Sequence, residues 1–377
     1  MKKNKILFFV NSYNFFITHR LPIAKKLLLK NYEVYVVAKN SKYKDILRKN
    51  KIFTYDVTIP NNLFDIISII KYFFQVFFLI KKIQPNIVHS ITIKPILIVS
   101  LNIKLFYKKI SHVLSFSGLG YIYTEKKIST KILRFFVDCI YKFVLKKKNL
   151  KIIVQNKADF IFFRKKMKVN QNLIELINGS GVDIKYFKFK PLIKSKINQI
   201  TMISRILKHK GIYEFIESAK QIKKKFDNFE FNLIGSFDIE NPSNIPIHHL
   251  KKINYKKYVK FLNYKKNIKK YIYNSHIIVL PSYREGFPKV LMEAASCGRP
   301  AISTNVPGCR DAIINNFTGL LVKPKSSKAL KNAILRLSSN KKKLIQMSKN
   351  TRKNAIKKFN IDLVVSKHLK IYQEINE

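Results

Sequence analysis

The sequence is short of arginine, of acidic side chains and of long apolar runs. Arginine supplies only 10 of the 74 basic residues, acidic residues number 21, and the formal net charge is +53. A charge of that size points toward nucleic acid or an anionic membrane as partner. The scarcity of arginine argues against nucleic acid, because arginine is the side chain that forks onto bases and phosphates. The lysines are spread along the whole chain, alongside many Asn, Ile, Phe and Tyr and only 10 Gly. That is the pattern of a codon bias rather than of a binding face. Attraction to anionic headgroups survives the objection, since scattered lysines still feel a negative surface.

No apolar run is long enough to span a bilayer, which takes roughly 20 mostly apolar residues. The best candidate, Leu63 to Ile80, is interrupted by Asp65, Lys71 and Gln75. The start has a basic beginning and then Ile6 to Val10, but polar Asn11, Ser12 and Asn14 follow at once, too early for a signal-peptide core. Cys139, Cys297 and Cys309 have no pairing or metal-ligand spacing and read as reduced thiols. These absences predict a cytoplasmic protein that meets a membrane from one side only. What is present is ample apolar material, 47% of 377 residues, enough for two cores of ordinary size.

Short apolar runs alternate with longer helical patterns. Residues 6–10, 33–38, 85–90, 112–117 and 151–155 read as buried parallel strands, with helix-like stretches at 20–30, 63–82 and 131–148. The pattern restarts with strands at 199–204, 230–235, 258–263, 276–281, 300–305 and 319–323, separated by helices such as 211–225 and 288–297. No repeat of solenoid length is present. The restart predicts α/β architecture in two Rossmann-like, doubly wound domains, 1–190 and 191–377, joined near the basic stretch 188–197. Two such domains in series put the carboxyl ends of their sheets opposite one another across a cleft, where ligands bind.

The strongest chemical signal is Pro281 to Gly298, PSYREGFPKVLMEAASCG. It follows a buried strand and opens a helix. Gly286 lets backbone approach a ligand, Pro288 suits the first helical turn, and Gly298 with Pro300 suits the stop. The free N–H groups of the first turn, about Phe287 to Val290 (Lys289 among them, Pro288 having no N–H to give), then point the positive end of a helix dipole at the site, as a phosphate or sugar hydroxyls require. Glu285 lies in the loop and Glu293 in the helix. Taken alone, both could be solvated charges.

With Gly-Phe-Pro after the first Glu, this Glu-x7-Glu motif resembles the hallmark of glycosyltransferase family 4, retaining enzymes of the GT-B fold. The resemblance implies that Glu285 contacts the donor sugar and that Glu293 bonds the ribose hydroxyls. In SRILKHKGIYEF, Arg205 follows a strand and Lys210-Gly211 precedes a helix. The family places an Arg and a Lys at this spacing to clamp the donor diphosphate. Two fixed cations and a helix N-terminus stabilise the leaving charge without a metal. Asn178 to Asp183 resembles the family's turn before the interdomain linker. Asn263, in Phe261-Leu-Asn-Tyr264, stands where the family meets the donor base, and Pro307-Gly308 matches a loop near the donor. Asp311 reads as a helix-start charge.

The N-terminal domain is expected to hold the acceptor. Phe16 to Pro22 is most similar to bacterial transferases acting on undecaprenyl-diphosphate-linked sugars in glycan, O-antigen or capsule assembly. Ser117-Gly-Leu-Gly-Tyr121, with Tyr123 and Thr124, resembles a loop of that subgroup, its Gly118 and Gly120 allowing close approach of a lipid diphosphate. His19, Arg20 and Lys94 are candidates for contacting that phosphate; local capping or pairing is the plainer role for His19 and Arg20. Many family members carry a His in T-x-H-G, where this chain reads Ser115-Phe-Ser117-Gly118. His89, ending the preceding strand, could serve instead, or could be a buried histidine. The stretch 131–148 reads as a largely buried linking helix in preference to a membrane-facing one.

The resemblance implies a metal- and cofactor-free retaining transfer from a nucleotide diphosphate sugar, UDP by preference, to a lipid-linked saccharide at the inner face of the membrane, with no nucleic acid partner. The alternatives are a nucleotide-sugar epimerase of the same fold and a non-catalytic basic membrane- or polyanion-binding protein.

Overall fold

The structure, a computed structural model, describes residues 3–60, 65–123, 127–239, 241, 243–252 and 255–376. Seven strands come from the first half: β1 Lys5–Ser12, β2 Glu33–Lys39, β3 Phe53–Asp56, β4 Ile87–Ile91, β5 Ser111–Phe116, β6 Leu150–Val154 and β7 Ile174–Leu176. They pair in parallel in the order β3-β2-β1-β4-β5-β6-β7. Six more follow: β8 Asn198–Ile203, β9 Phe229–Ile234, β10 Lys260–Phe261, β11 Ile277–Leu280, β12 Ala301–Thr304 and β13 Gly319–Val322. They form a second parallel sheet, β10-β9-β8-β11-β12-β13. Both are doubly wound, as the alternating sequence pattern predicts. The central strands are apolar on every side because helices cover both faces: Ile6 to Val10 of β1 are fully buried.

In such sheets the strand order reverses at a switch point, and ligands bind outside the carboxyl ends of the two strands flanking it. Here those pairs are β1 with β4 and β8 with β11. The connections leaving β8 and β11 carry Arg205 to Gly211 and Pro281 to Pro288. Those leaving β1 and β4 carry His19, Arg20 and Lys94.

The two compact units are not the expected halves. One comprises residues 1–180 and 362–377, the other 181–361. The division falls inside the Asn178 to Asp183 turn, where Gly179 and Gly181 have positive φ, rather than at 188–197. The tail forms two helices, Lys341–Phe359 and Ile361–Asn376. The second of them rejoins the first unit: it buries Val364, His368, Leu369 and Tyr372, the Tyr372 hydroxyl bonds His89 Nδ1 at 2.6 Å, and Ser111 Oγ donates to Ile375 O at 2.6 Å. Among the described residues no helix is long and apolar enough to cross a membrane. The Leu63–Ile80 candidate becomes helix Ile66–Ile83, N-capped by Asp65 through Ser68 N; Leu63 and Phe64 lie outside the described residues.

Candidate functional site

After β8 the chain makes one short turn, Lys208–Lys210, and enters helix Ile212–Lys223 through Gly211 at φ +80°. A Cβ on Gly211 would stand 2.2 Å from the Pro281 carbonyl oxygen, so only glycine lets this turn lie against the loop leaving β11. The contact delivers Lys210 to that loop: its Nζ is 2.5 Å from Glu285 Oε1, with the side chains 16% and 12% exposed. Ser282 Oγ donates to the same carboxylate oxygen at 2.7 Å. Two donors on one half-buried carboxylate fix its position, and charge-assisted bonds of this kind are the stronger class.

The loop is held from behind by β12. Ser303 Oγ donates to Leu280 O, and Thr304 Oγ1 to Ser282 O. Gly308, at φ +79°, packs on the loop so closely that a Cβ would lie 2.6 Å from Glu285 O and 2.4 Å from Gly286 O. Gly308→Ala is therefore expected to cost about 1–2 kcal/mol in a thermal melt for the left-handed backbone and to lower activity further by moving Glu285. A variant melting and turning over like the parent would show that the 285–286 loop has room to shift.

Arg205 projects from the end of β8 and bonds Asp238 Oδ2 at 2.6 Å. That pair is mostly exposed, so it is weak and its partner exchangeable. His209, which the sequence reading passed over, lies beside Lys210, Glu285 and Arg205; burial first, then the neighbouring Lys210, hold its imidazole below the ordinary range. Tyr283 N donates to His209 O, and Tyr283 hydroxyl donates to Glu214 Oε1 at 2.7 Å, tying helix Ile212–Lys223 to the loop. These supports carry no sequence signal beyond Ser282 standing three residues before a Glu.

Helix Lys289–Ser296 begins with Pro288 as an extended N-cap, one step before the first turn where the sequence placed it, and no side chain caps it. Gly286 leads in as expected, and Val290 is half-buried on the first turn. Phe287 is a core anchor, its ring 5.5 Å from that of Phe359, so only its backbone faces the loop. Glu293 is no solvated helix charge. It is 6% exposed, with Lys289 Nζ at 3.6 Å. Burial pushes its carboxyl up to about 7 against the opposing pull of Lys289. Asn263, exposed beyond β10 at φ +56°, accepts a bond from Gly235 N.

In the first unit the expected phosphate contacts have different partners. His19 ends helix Tyr13–His19 half-buried, with Nδ1 3.0 Å from Ser180 Oγ. Lys94 Nζ donates to Pro60 O at 2.8 Å, and burial lowers its proton affinity. Gly118 and Gly120 take φ of +103° and +67°. Tyr123 is described and Thr124 lies outside the described residues. Two assignments are corrected. Arg20 is 1% exposed; its guanidinium bonds His19 O, its Nε has no partner among the described residues, and burial lowers its affinity for protons. It is an interior cation, not a surface clamp. His89 is fully buried, with Nδ1 on Tyr372 and Nε2 on Ser115 Oγ at 2.6 Å. The Ser115 that stands near the family's histidine position thus holds His89 inside the core, and burial keeps the ring neutral.

Comparison with known proteins bears on the family and the fold. Residues 5–156 match the family described as "Glycosyl transferase 4-like", and residues 183–354 match "Glycosyl transferases group 1". The chain is 29% identical over 372 residues, 94% of its length and 95% of the relative's, to a Campylobacter jejuni N,N'-diacetylbacillosaminyl-diphospho-undecaprenol alpha-1,3-N-acetylgalactosaminyltransferase. It is 30% identical over 207 residues, 51% of this chain and 52% of the other, to an Escherichia coli UDP-Gal:alpha-D-GlcNAc-diphosphoundecaprenol alpha-1,3-galactosyltransferase. Among solved structures, a Rickettsia africae glycosyltransferase superposes with a TM-score of 0.78 at 21% identity, covering 100% of this chain and 99% of that one. Anabaena HepE in complex with UDP-glucose superposes with a TM-score of 0.78 at 17% identity, covering 98% and 99%. The chain belongs to the family-4-like glycosyltransferases and has their GT-B fold.

Proposed function

We propose that the protein moves a sugar, with retention of anomeric configuration, from a nucleotide diphosphate sugar (UDP by preference) to a hydroxyl of a lipid-diphosphate-linked saccharide. The product would be a cell-surface polysaccharide or glycan, built at the inner face of the membrane. The observation that carries the reading is the Lys210–Glu285 contact of 2.5 Å at the β8–β11 switch point. It sets a carboxylate for the sugar beside a cation for the diphosphate. In this reading the bond from the anomeric carbon to the diphosphate oxygen breaks as the acceptor oxygen bonds that carbon on the same face. The acceptor proton passes to the departing diphosphate, so no protein base is required. Arg205 and Lys210 stabilise the charge that develops there, which dispenses with a metal. Glu293 is the ribose contact, Asn263 lies toward the base, and backbone from Gly286 to Val290 receives hydroxyls or phosphate. On the acceptor side His19, Lys94 and the Gly118–Gly120 loop remain the candidates. The Campylobacter and Escherichia relatives, whose names specify undecaprenol-diphosphate-linked acceptors, support the acceptor class.

The test is nucleotide diphosphate release from a panel of UDP- and GDP-sugars, with and without bacterial lipid extract. Release from one donor, rising with lipid and lost in Glu285→Ala, is the expected result. No release from any donor, together with no nucleotide binding, would leave only a basic binding protein. Release of a free sugar without any effect of lipid would favour epimerase chemistry.

A further inference from the structure

Three helices of the first unit lie side by side on one face of its sheet: Ile66–Ile83 between β3 and β4, Ile93–Phe106 between β4 and β5, and Ile128–Val144 between β5 and β6. Their mutual contacts include a cluster of aromatic rings. Phe106 packs edge-on against Phe73 and Phe77, 6.2 and 5.1 Å between ring centres, and Lys104 sits over the Phe143 ring. The outer surface of this layer is apolar where a globular protein is ordinarily polar. On the first helix Ile66, Ile70, Phe74 and Phe78 follow one another at every fourth residue and are all exposed, and Ile67 beside them is 82% exposed. On the third helix Ile128, Ile132, Phe135, Phe136 and Phe143 recur at helical spacing, Phe135 being 64% exposed. Phe106, also exposed, lies between the two stripes. The largely buried helix expected over 131–148 is therefore half right: Leu133, Val137, Tyr141 and Val144 face the core, while a second apolar stripe faces outward.

The charge around these stripes is almost all positive, Asp65 at the cap of the first helix being an exception at its end. Lys71, Lys81 and Lys82 on the first helix, and Lys131 and Lys142 on the third, are exposed. The three helices together contain one acidic residue, Asp138, and it is occupied by Tyr123 hydroxyl and by Lys166 at 2.8 Å. Contiguous exposed apolar surface marks an interaction site. An apolar stripe rimmed by lysines is the pattern of helices that lie in the headgroup region of a bilayer, each lysine near the surface adding attraction to anionic lipid. A second copy of the chain fits poorly, because two such faces brought together would set lysines against lysines without an acidic partner.

We propose that this three-helix face seats the protein on a bilayer containing anionic lipid, its isoleucines and phenylalanines reaching the acyl boundary and its lysines meeting the headgroup phosphates. This deepens the proposed function by naming the surface that brings the enzyme to a lipid-borne acceptor. Its test involves no sugar transfer, so the two ideas fail separately.

The chain contains no tryptophan, so Phe136→Trp in the full-length protein is a single fluorescent reporter on the face. Its emission should shift to the blue with vesicles of phosphatidylcholine plus phosphatidylglycerol and stay unchanged with phosphatidylcholine alone. The triple variant Ile132→Ser, Phe135→Ser, Phe136→Ser keeps every lysine, and its positions are solvent-exposed, so its thermal melt should match the parent. Its sedimentation with the anionic vesicles should weaken roughly tenfold or more. Phe74→Ser with Phe78→Ser, on a different helix, should weaken it likewise and guards against a folding defect in the first variant. Parental vesicle binding by both variants would overturn the proposal in favour of plain lysine electrostatics. A parent dimer that the substitutions dissociate, with vesicle binding unaltered, would overturn it in favour of a second copy.

Discussion

Lys210→Ala is expected to lower kcat for nucleotide diphosphate release about 100- to 1,000-fold, the scale for removing one preorganised charge-stabilising group. Two contributions add to that figure. The leaving diphosphate loses a fixed cation in a half-buried place, where charges act more strongly than in water. Glu285 loses the partner at 2.5 Å that holds it and keeps only Ser282 at 2.7 Å. Because the two side chains work as one unit, their effects should not add: Lys210→Ala, Glu285→Ala and the double variant should fall within roughly tenfold of one another. Single-turnover release with saturating donor reads the effect apart from product release. A Lys210→Ala enzyme within threefold of the parent would remove the lysine from the reaction. Arg205→Ala makes the useful contrast. Its pair with Asp238 is exposed, so its loss should appear first in donor KM.

Glu293→Gln should make the protein more stable and less active, with the gain in stability depending on pH. Burial raises the Glu293 carboxyl from its ordinary 4.5 to about 7. A group whose folded-state affinity for protons is raised contributes stability that is fully present below about pH 4.5 and lost as pH rises through about 7. Across that window the parent loses about 3 kcal/mol at this position. Glutamine has the same shape and no charge to bury, so it escapes the loss. The difference in Tm between variant and parent should be small at pH 5 and should widen to several degrees by pH 8. Donor KM should rise, since the amide replaces a carboxylate that would accept hydrogen bonds from two ribose hydroxyls. A Tm difference that stays flat from pH 5 to 8 would show that Glu293 ionises without a penalty and has more access to water than its 6% exposure implies.

Much of the architecture is legible in the sequence because central parallel strands are apolar on both faces and so appear as uninterrupted runs. Strands β1 and β11 are of this kind. Strands β3, Phe-Thr-Tyr-Asp, and β7, Ile-Glu-Leu, escape notice: one is a four-residue edge strand with both ends exposed, the other is three residues long. The pairing of Glu285 with Lys210 spans 75 residues; the resemblance names both residues, but no local pattern brings them together. Burial is what the residues could not disclose for Arg20 and His89. Arg20 is a plausible phosphate contact by chemistry and His89 a plausible stand-in for the family's histidine, yet Tyr372, some 283 residues beyond His89, bonds His89 and helps close the core around both. The exposed stripe on helix Ile128–Val144 was hidden for the opposite reason, since apolar residues on two faces read as one buried helix.

The return of helix Ile361–Asn376 to the first unit has a consequence for how the protein is made. Domains generally fold in the order in which they leave the ribosome. Here the unit that begins synthesis first cannot be completed first. Residues 181–361 must be made in between, an interval of roughly 10 to 40 s at ordinary rates of elongation. Throughout it, His89 lacks Tyr372, and the apolar surface destined for Val364, Leu369 and Ile371 faces water. The nascent first unit therefore keeps apolar surface open while it waits, whereas the second unit, contiguous in sequence, can close as soon as its own strands and helices emerge. The half of the enzyme that waits is also the half whose outer face is apolar, so the nascent chain is most prone to aggregate before residues 362–377 arrive.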